Sequence, residues 1–175
     1  HIPEPIVQFT TKPFIDAPVI QQRLETLVEQ MRDSFPAIYS GVTLVSVTES
    51  SKRLVEQFAT IIRRYEIDVV LLEAEDFPRA QWLIDNDYQW LESCILIQDV
   101  SSTGKQIQEL STFCADHLAI PVRTVIVLSK PNDDVDSFMW EPDWVGFHIP
   151  NEYVVGCGMG VHEKLQTLSS IQVLA

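Results

Sequence analysis

Cysteine is scarce in this chain. Cys94, Cys114 and Cys157 make an odd number with no Cys-x-x-Cys spacing. That argues against a disulfide framework or a thiolate metal site and for buried or free thiols in a reducing, cytoplasmic setting. Positive charge is scarce too: 12 Lys and Arg stand against 25 Asp and Glu, a net charge of −13. This excludes nucleic acid and an anionic membrane surface as natural partners. It also repels a free polyphosphate unless cations or a local basic site compensate. No apolar run approaches the roughly 20 residues of a membrane span, and no signal-peptide pattern is present. The sequence opens at His1 rather than Met, which leaves room for a trimmed natural N-terminus. Internal repeats and low-complexity segments are absent.

What remains is a composition of 46% apolar and 21% charged residues over 175 positions. It suits one folded domain, 1–175, with a core that needs no staples. Pro3, Pro5 and Pro13 mark an extended N-terminal arm. Ile20, Leu24, Leu27, Val28 and Met31 recur at helical spacing from Asp16 to about Phe35, where Pro36 ends the run. Gly41 to Val47 reads as a short strand. Leu54, Phe58, Ile61 and Ile62 line one face of the next helix, and Asp68 to Glu73 is a further strand. Pro78 breaks it, and Gln81 to Asp85 reads as another short strand. Beyond these come a helix through Ile107, Leu110, Phe113 and Leu118, and a buried strand from Pro121 to Leu128. Residues 131–142 form an acidic loop in which Asp133, Asp134 and Asp136 are solvated. Trp144 to Ile149, Tyr153 to Gly156 and Ile171 to Leu174 are late strands. Strands alternating with helices predict a mostly parallel α/β sheet covered on both faces, with ligands beyond the C-terminal strand ends.

The stretch from Cys94 to Gln106 carries the chemistry. An apolar strand runs into Asp99, a Ser/Thr/Gly turn follows, and a helix opens. The carboxylate suits sugar hydroxyls, while the turn and helix start offer backbone N–H groups to a phosphate. Taken alone, Thr103-Gly104-Lys105-Gln106 reads as an ordinary capping box, with Thr103 capping and Gln106 reaching back. It is not a Walker loop, because the leading glycine is missing. Gly156-Cys157-Gly158-Met159-Gly160 lacks the third spacing of a dinucleotide fingerprint and reads as a turn. His148 and His162 lack a second metal ligand at a usual spacing, so packing or surface roles are expected.

Ile95 to Lys105 resembles the phosphoribosyl-pyrophosphate signature of type I phosphoribosyltransferases. Pro142 to Gly156 resembles the hypoxanthine-guanine branch of that family, and Leu128-Ser129-Lys130-Pro131 fits it. The resemblance implies the type I phosphoribosyltransferase fold, with a mostly parallel sheet flanked by helices and a small hood built by the termini. It implies transfer of ribose-5-phosphate to a purine with magnesium. Under it, Lys130 recognises the exocyclic oxygen of the purine, Tyr153 stacks on the base and Val154 meets its edge through the backbone. Ser102, Thr103, Gly104, Lys105 and Gln106 cradle the 5′-phosphate, and Asp99 holds ribose hydroxyls.

The departures fall on one side of the site. The first acidic position of the signature is Gln98. The position of the proposed base is Ser102, whose hydroxyl is a poor proton acceptor near neutral pH. The magnesium-positioning aspartate falls at Gly160, the pyrophosphate arginine at Gln166 and the Lys-Gly turn at Thr48-Glu49-Ser50. The lid between Glu73 and Trp82 is short, with Trp82 and Trp90 flanking it. The expectation is a protein that keeps a pocket for a purine nucleotide or phosphorylated ribose, has lost most or all catalysis, and acts as a sensor or partner subunit in a homo-oligomer, a dimer or tetramer. The alternative is a divergent active enzyme of purine salvage, in which Asp99 and Ser102 are catalytic and Mg2+ is required. Glu49 or Glu75 is then the candidate substitute metal ligand. A second alternative is an interaction scaffold that binds no nucleotide.

Overall fold

The computed structural model describes residues 10–74, 90–132, 140–160 and 163–174. The expected strand over Gln81 to Asp85, and Glu75, Pro78, Trp82, Asp133, Asp134, Asp136 and His162, lie outside the described residues.

Strand β1 (Thr11–Ile15) leads into helix α1 (Ala17–Ser34). Asp16 is extended at the N-cap and Pro18 sits in the first turn, where its missing N–H costs no hydrogen bond. The helix buries Ile20, Leu24, Leu27, Val28 and Met31 on one face, and a 3-10 turn from Pro36 to Ser40 follows it. Then come β2 (Val42–Ser46), a 3-10 turn (Glu49–Ser51), α2 (Lys52–Arg63) and β3 (Val69–Glu73). After these lie β4 (Ser93–Ser101), α3 (Lys105–His117), β5 (Val122–Ser129) and β6 (Trp144–His148). The chain closes with β7 (Val154–Val155), a single helical turn α4 (Glu163–Gln166) and β8 (Ile171–Leu174).

Five strands form a parallel sheet in the order β3-β2-β4-β5-β6. Parallel strands buried on both faces need apolar residues at successive positions, and Cys94 to Ile97 of the central β4 are all inaccessible. Ile95 and Ile97 face the core shared with α1 and α2, while Cys94 and Leu96 face the core under α3. Each fully buried Leu, Ile or Phe contributes about 1.5–3 kcal/mol through apolar burial, so both layers are held by the same central strand. Arg23 of α1 reaches the outer strand, donating to the carbonyls of Gly146 at 2.7 Å and Val145 at 2.9 Å.

The second sheet is antiparallel, in the order β1-β8-β7. It joins the two ends of the chain, as the expected hood does. The N-terminal arm is extended, and its residues 11–15 are a paired strand of that hood, with Thr11 opposite Leu174 and Lys12 opposite Val173. Pro13 and the lack of alternation hide that strand from a local reading, because its partner is contributed from the far end of the sequence. Among the described residues no helix is long and apolar enough to cross a membrane.

Candidate functional site

The parallel sheet brings four segments to its C-terminal edge: the 48–51 turn after β2, Asp99 near the end of β4, Lys130 after β5 and His148 at the end of β6. Asp99 is only 2% exposed. Its N–H donates to Ser51 Oγ at 3.0 Å. Its Oδ1 accepts from the Val100 N–H at 2.8 Å and, more weakly, from the Thr48 hydroxyl at 3.4 Å. Its Oδ2 is buried without a partner. A buried carboxylate oxygen with no donor is costly, and such an atom at the edge where ligands bind is an acceptor ready for a hydroxyl. Gln98 lies on the opposite face of the sheet, in register with Ile126 over the α3 core, and its buried Oε1 is also unpartnered. The two signature positions therefore serve two different sides of the sheet.

The turn after β4 is built by its own hydroxyls. Ser101 Oγ accepts the Gly104 N–H at 2.9 Å, and Thr103 Oγ1 accepts the Lys105 N–H at 3.2 Å. No capping box forms at this helix start. The N-cap is Gly104, left-handed at φ 69°, and not Thr103. That shift puts Ile107 rather than Gln106 at the third helical position. Ser102, Thr103, Lys105 and Gln106 are exposed, while Gly104 is buried against the indole of Trp140.

Beside this turn lies a cleft of about 360 Å³ lined by Ser102, Thr103, Gly104, Lys130, Trp140 and His148, among others. It brings the 102–104 turn together with Lys130, which is distant in the chain. Lys130 is fixed by its own backbone, whose N–H donates to the Ser101 carbonyl at 2.9 Å. Tyr153 and Val154 do not line this cleft. Tyr153 is 49% exposed, and Val154 is buried in β7 opposite Val173.

On the other flank, the 48–51 turn and, separately, Gly160 and Gln166 are closed by their own hydrogen bonds. Thr48 Oγ1 lies 2.6 Å from Ser51 Oγ and 3.0 Å from Ser50 Oγ. Gly156 and Met159 close a tight bridge, and a Cβ on Gly158 would lie 2.6 Å from the Ser50 carbonyl oxygen. Gln166 donates its amide to the Gly160 carbonyl at 2.6 Å, and its own carbonyl accepts from Arg53 at 3.0 Å and from the Gly158 N–H at 2.8 Å. Sequence reasoning named the replacements at 48–50, 160 and 166 but not this mutual closure, nor Trp140. The unusual density of hydroxyls over Thr48-Glu49-Ser50-Ser51 was the available signal for the first.

Among the described residues, the donors at this edge form no all-protein cage for a magnesium ion. Magnesium is commonly bound by one or two carboxylates plus substrate phosphates in a demanding octahedral geometry. Here one carboxylate oxygen, Asp99 Oδ2, stands unused, its neighbours Gln98 and Ser102 are neutral, and the Gln166 amide is engaged by Gly160. Among the described residues no three His, Cys, Asp or Glu side chains converge. The thiols lie away from this chemistry. Burial raises the Cys94 and Cys157 thiols and pushes Cys114 up to about 12, so all three stay protonated.

No protein-family model matches the chain. Its sequence is similar to the hypoxanthine-guanine phosphoribosyltransferase of Lactococcus lactis, 32% identical over 80 residues, which is 46% of this chain and 42% of that protein. The match thus spans less than half the length of that curated relative. In structure it is similar to hypoxanthine phosphoribosyltransferase from Trypanosoma cruzi in complex with the product IMP, with a TM-score of 0.75 and 16% identity over 97% of this chain and 93% of that one. A hypoxanthine-guanine phosphoribosyltransferase from Bacillus anthracis gives a TM-score of 0.71 at 18% identity, over 97% of this chain and 100% of that one. The strand order, the flanking helices and these likenesses give the chain the type I phosphoribosyltransferase fold, and over about 80 residues its sequence resembles the hypoxanthine-guanine phosphoribosyltransferases.

Proposed function

We propose that this protein binds a purine nucleoside monophosphate or a closely related phosphorylated ribose, and that transfer from phosphoribosyl pyrophosphate is largely lost. The observation that carries this reading is the contrast between the two flanks. On one, Lys130 and the 102–104 turn share a cleft, with the unpaired Asp99 Oδ2 at the same sheet edge. On the other, Gln166 bonds to Gly160, and the hydroxyls of the 48–51 turn bond among themselves.

In this reading a phosphate takes over the turn N–H groups now held by Ser101 and Thr103, Asp99 Oδ2 accepts a ribose hydroxyl, and Lys130 donates to the oxygen of a 6-oxopurine. Tyr153 and Val154 remain proposed contacts for the base. Pre-aimed charge stabilisation is usually the largest single catalytic contribution, and removal of one donor costs about 10²–10³ in rate. Neutral residues at several such positions leave binding without much turnover. The role that follows is a nucleotide sensor or a partner subunit, in a homo-oligomer by resemblance. Magnesium enters only if turnover survives.

The test is a thermal-shift panel with IMP, GMP, XMP, AMP, ribose-5-phosphate, and phosphoribosyl pyrophosphate with and without Mg2+. A ligand at 100 times its Kd stabilises by about 2.7 kcal/mol. Stabilisation by monophosphates, without a magnesium-dependent response to phosphoribosyl pyrophosphate, is the expected result. Asp99→Asn should leave the free protein within about 1 kcal/mol, since Oδ1 still accepts from Val100, while weakening monophosphate binding about tenfold. Magnesium-dependent formation of IMP or GMP overturns the loss of catalysis, and silence across the panel overturns the binding site.

A further inference from the structure

We infer that Trp140 is the aromatic wall against which the ligand's ring stacks, making the 102–104/Trp140 cleft the base-reading site for an anionic, phosphorylated heteroaromatic compound. The inference rests on the nucleotide-binding reading above and adds a residue that the sequence did not single out. Two observations carry it.

The first is position. Trp140 precedes β6, on a segment whose sequence pattern gives no element, yet its indole is half-buried and set directly on Gly104. A Cβ at Gly104 would come within 2.8 Å of Trp140 Cε3 and 3.0 Å of Cζ3. The glycine is therefore what lets an aromatic ring lie on the phosphate turn itself. The second is the company it keeps. Lys130, His148 and Trp140 line one cleft, so a cationic donor, a second basic ring and a π face meet the turn hydroxyls there. At about 360 Å³ the cleft is a compact member of the small-molecule range of roughly 300–1,000 Å³. Stacking supplies ring affinity that does not depend on the identity of the base, and Lys130 supplies the preference among bases. Tyr153 lies off this cleft, so the two aromatic positions are separable by experiment.

The experiment is titration of intrinsic fluorescence with IMP and ribose-5-phosphate, run beside the thermal shift. IMP should quench indole emission with the same Kd as the thermal shift, and ribose-5-phosphate, which has no ring, should not. Trp140→Phe should remove most of the quench and weaken IMP about threefold. Trp140→Ala should weaken it about tenfold or more. Trp144→Phe, in the opposite core against Phe35, should keep the quench. Circular dichroism checks that each variant is folded, and Trp140→Phe preserves the ring should Trp140→Ala unfold. Monophosphate stabilisation that persists unchanged in both Trp140 variants, or that is abolished by Tyr153→Ala while Trp140→Phe still quenches, overturns this inference and leaves the binding reading standing. Absence of any monophosphate effect on the unaltered protein overturns both.

Discussion

The side-chain amide of Gln166 is hydrogen-bonded to the carbonyl of Gly160 at 2.6 Å, joining two positions that the sequence resemblance aligns with an arginine and an aspartate. Gly160 has φ 125°, and a Cβ there would lie 3.0 Å from Leu165 Cβ. Restoring the charged pair as Gly160→Asp with Gln166→Arg should therefore destabilise the fold by about 1–3 kcal/mol. It should not create a magnesium-dependent response to phosphoribosyl pyrophosphate. Urea unfolding and the thermal-shift panel measure the two effects. A double variant with unchanged stability and a new magnesium response would show that the seam merely rests where pyrophosphate goes.

Gly104→Ala tests the joint between the turn and the indole. Left-handed backbone costs an L-residue about 1–2 kcal/mol, and the methyl group meets Trp140 at 2.8 Å. For a chain of this size Tm should fall by roughly 2–8 °C, and monophosphate stabilisation should shrink with it. Unchanged melting and unchanged binding would mean that the ring moves aside at no cost.

The thiols predict a pH dependence in the alkaline range. Burial raises Cys114 to about 12 in the folded state, above its value in the unfolded chain. Folding thus favours the protonated thiol. Its contribution is complete below the ordinary thiol range of about 8–9 and is lost as pH rises from there towards 12, by up to about 1.4 kcal/mol per pH unit. Cys114→Ala should flatten the alkaline fall in stability relative to the parent protein. Alkylation at pH 8 should be slow for all three cysteines, which are buried, and fast in urea.

The sequence makes the central elements legible because their signals are local. Helix α1 follows from the spacing of Ile20, Leu24 and Met31 and from the stop at Pro36. Strand β4 follows from its unbroken apolar run, and Asp99 stands at its end as expected. The misplaced cap at Thr103 is a one-residue error with a physical reason: Gly104, free of a Cβ, takes the left-handed conformation and the N-cap position itself. Strand β1 and the Gln166–Gly160 closure were hidden because each depends on a partner that local periodicity does not report. Trp140 was hidden for the same reason, since its role comes from meeting Gly104 across 36 positions of sequence.

The antiparallel sheet has a kinetic consequence. Strand β8 is the central member that holds both β1 and β7, so the segment carrying Val154 has no sheet partner until residues 171–174 are available. During synthesis the five-stranded sheet is able to condense first, from contacts close in sequence. The small sheet must wait for a closure between residues 11 and 174, the costliest loop in the chain to close. Truncation before Ile171 should therefore release two strands at once, and maturation of the hood should be the last and slowest event in folding.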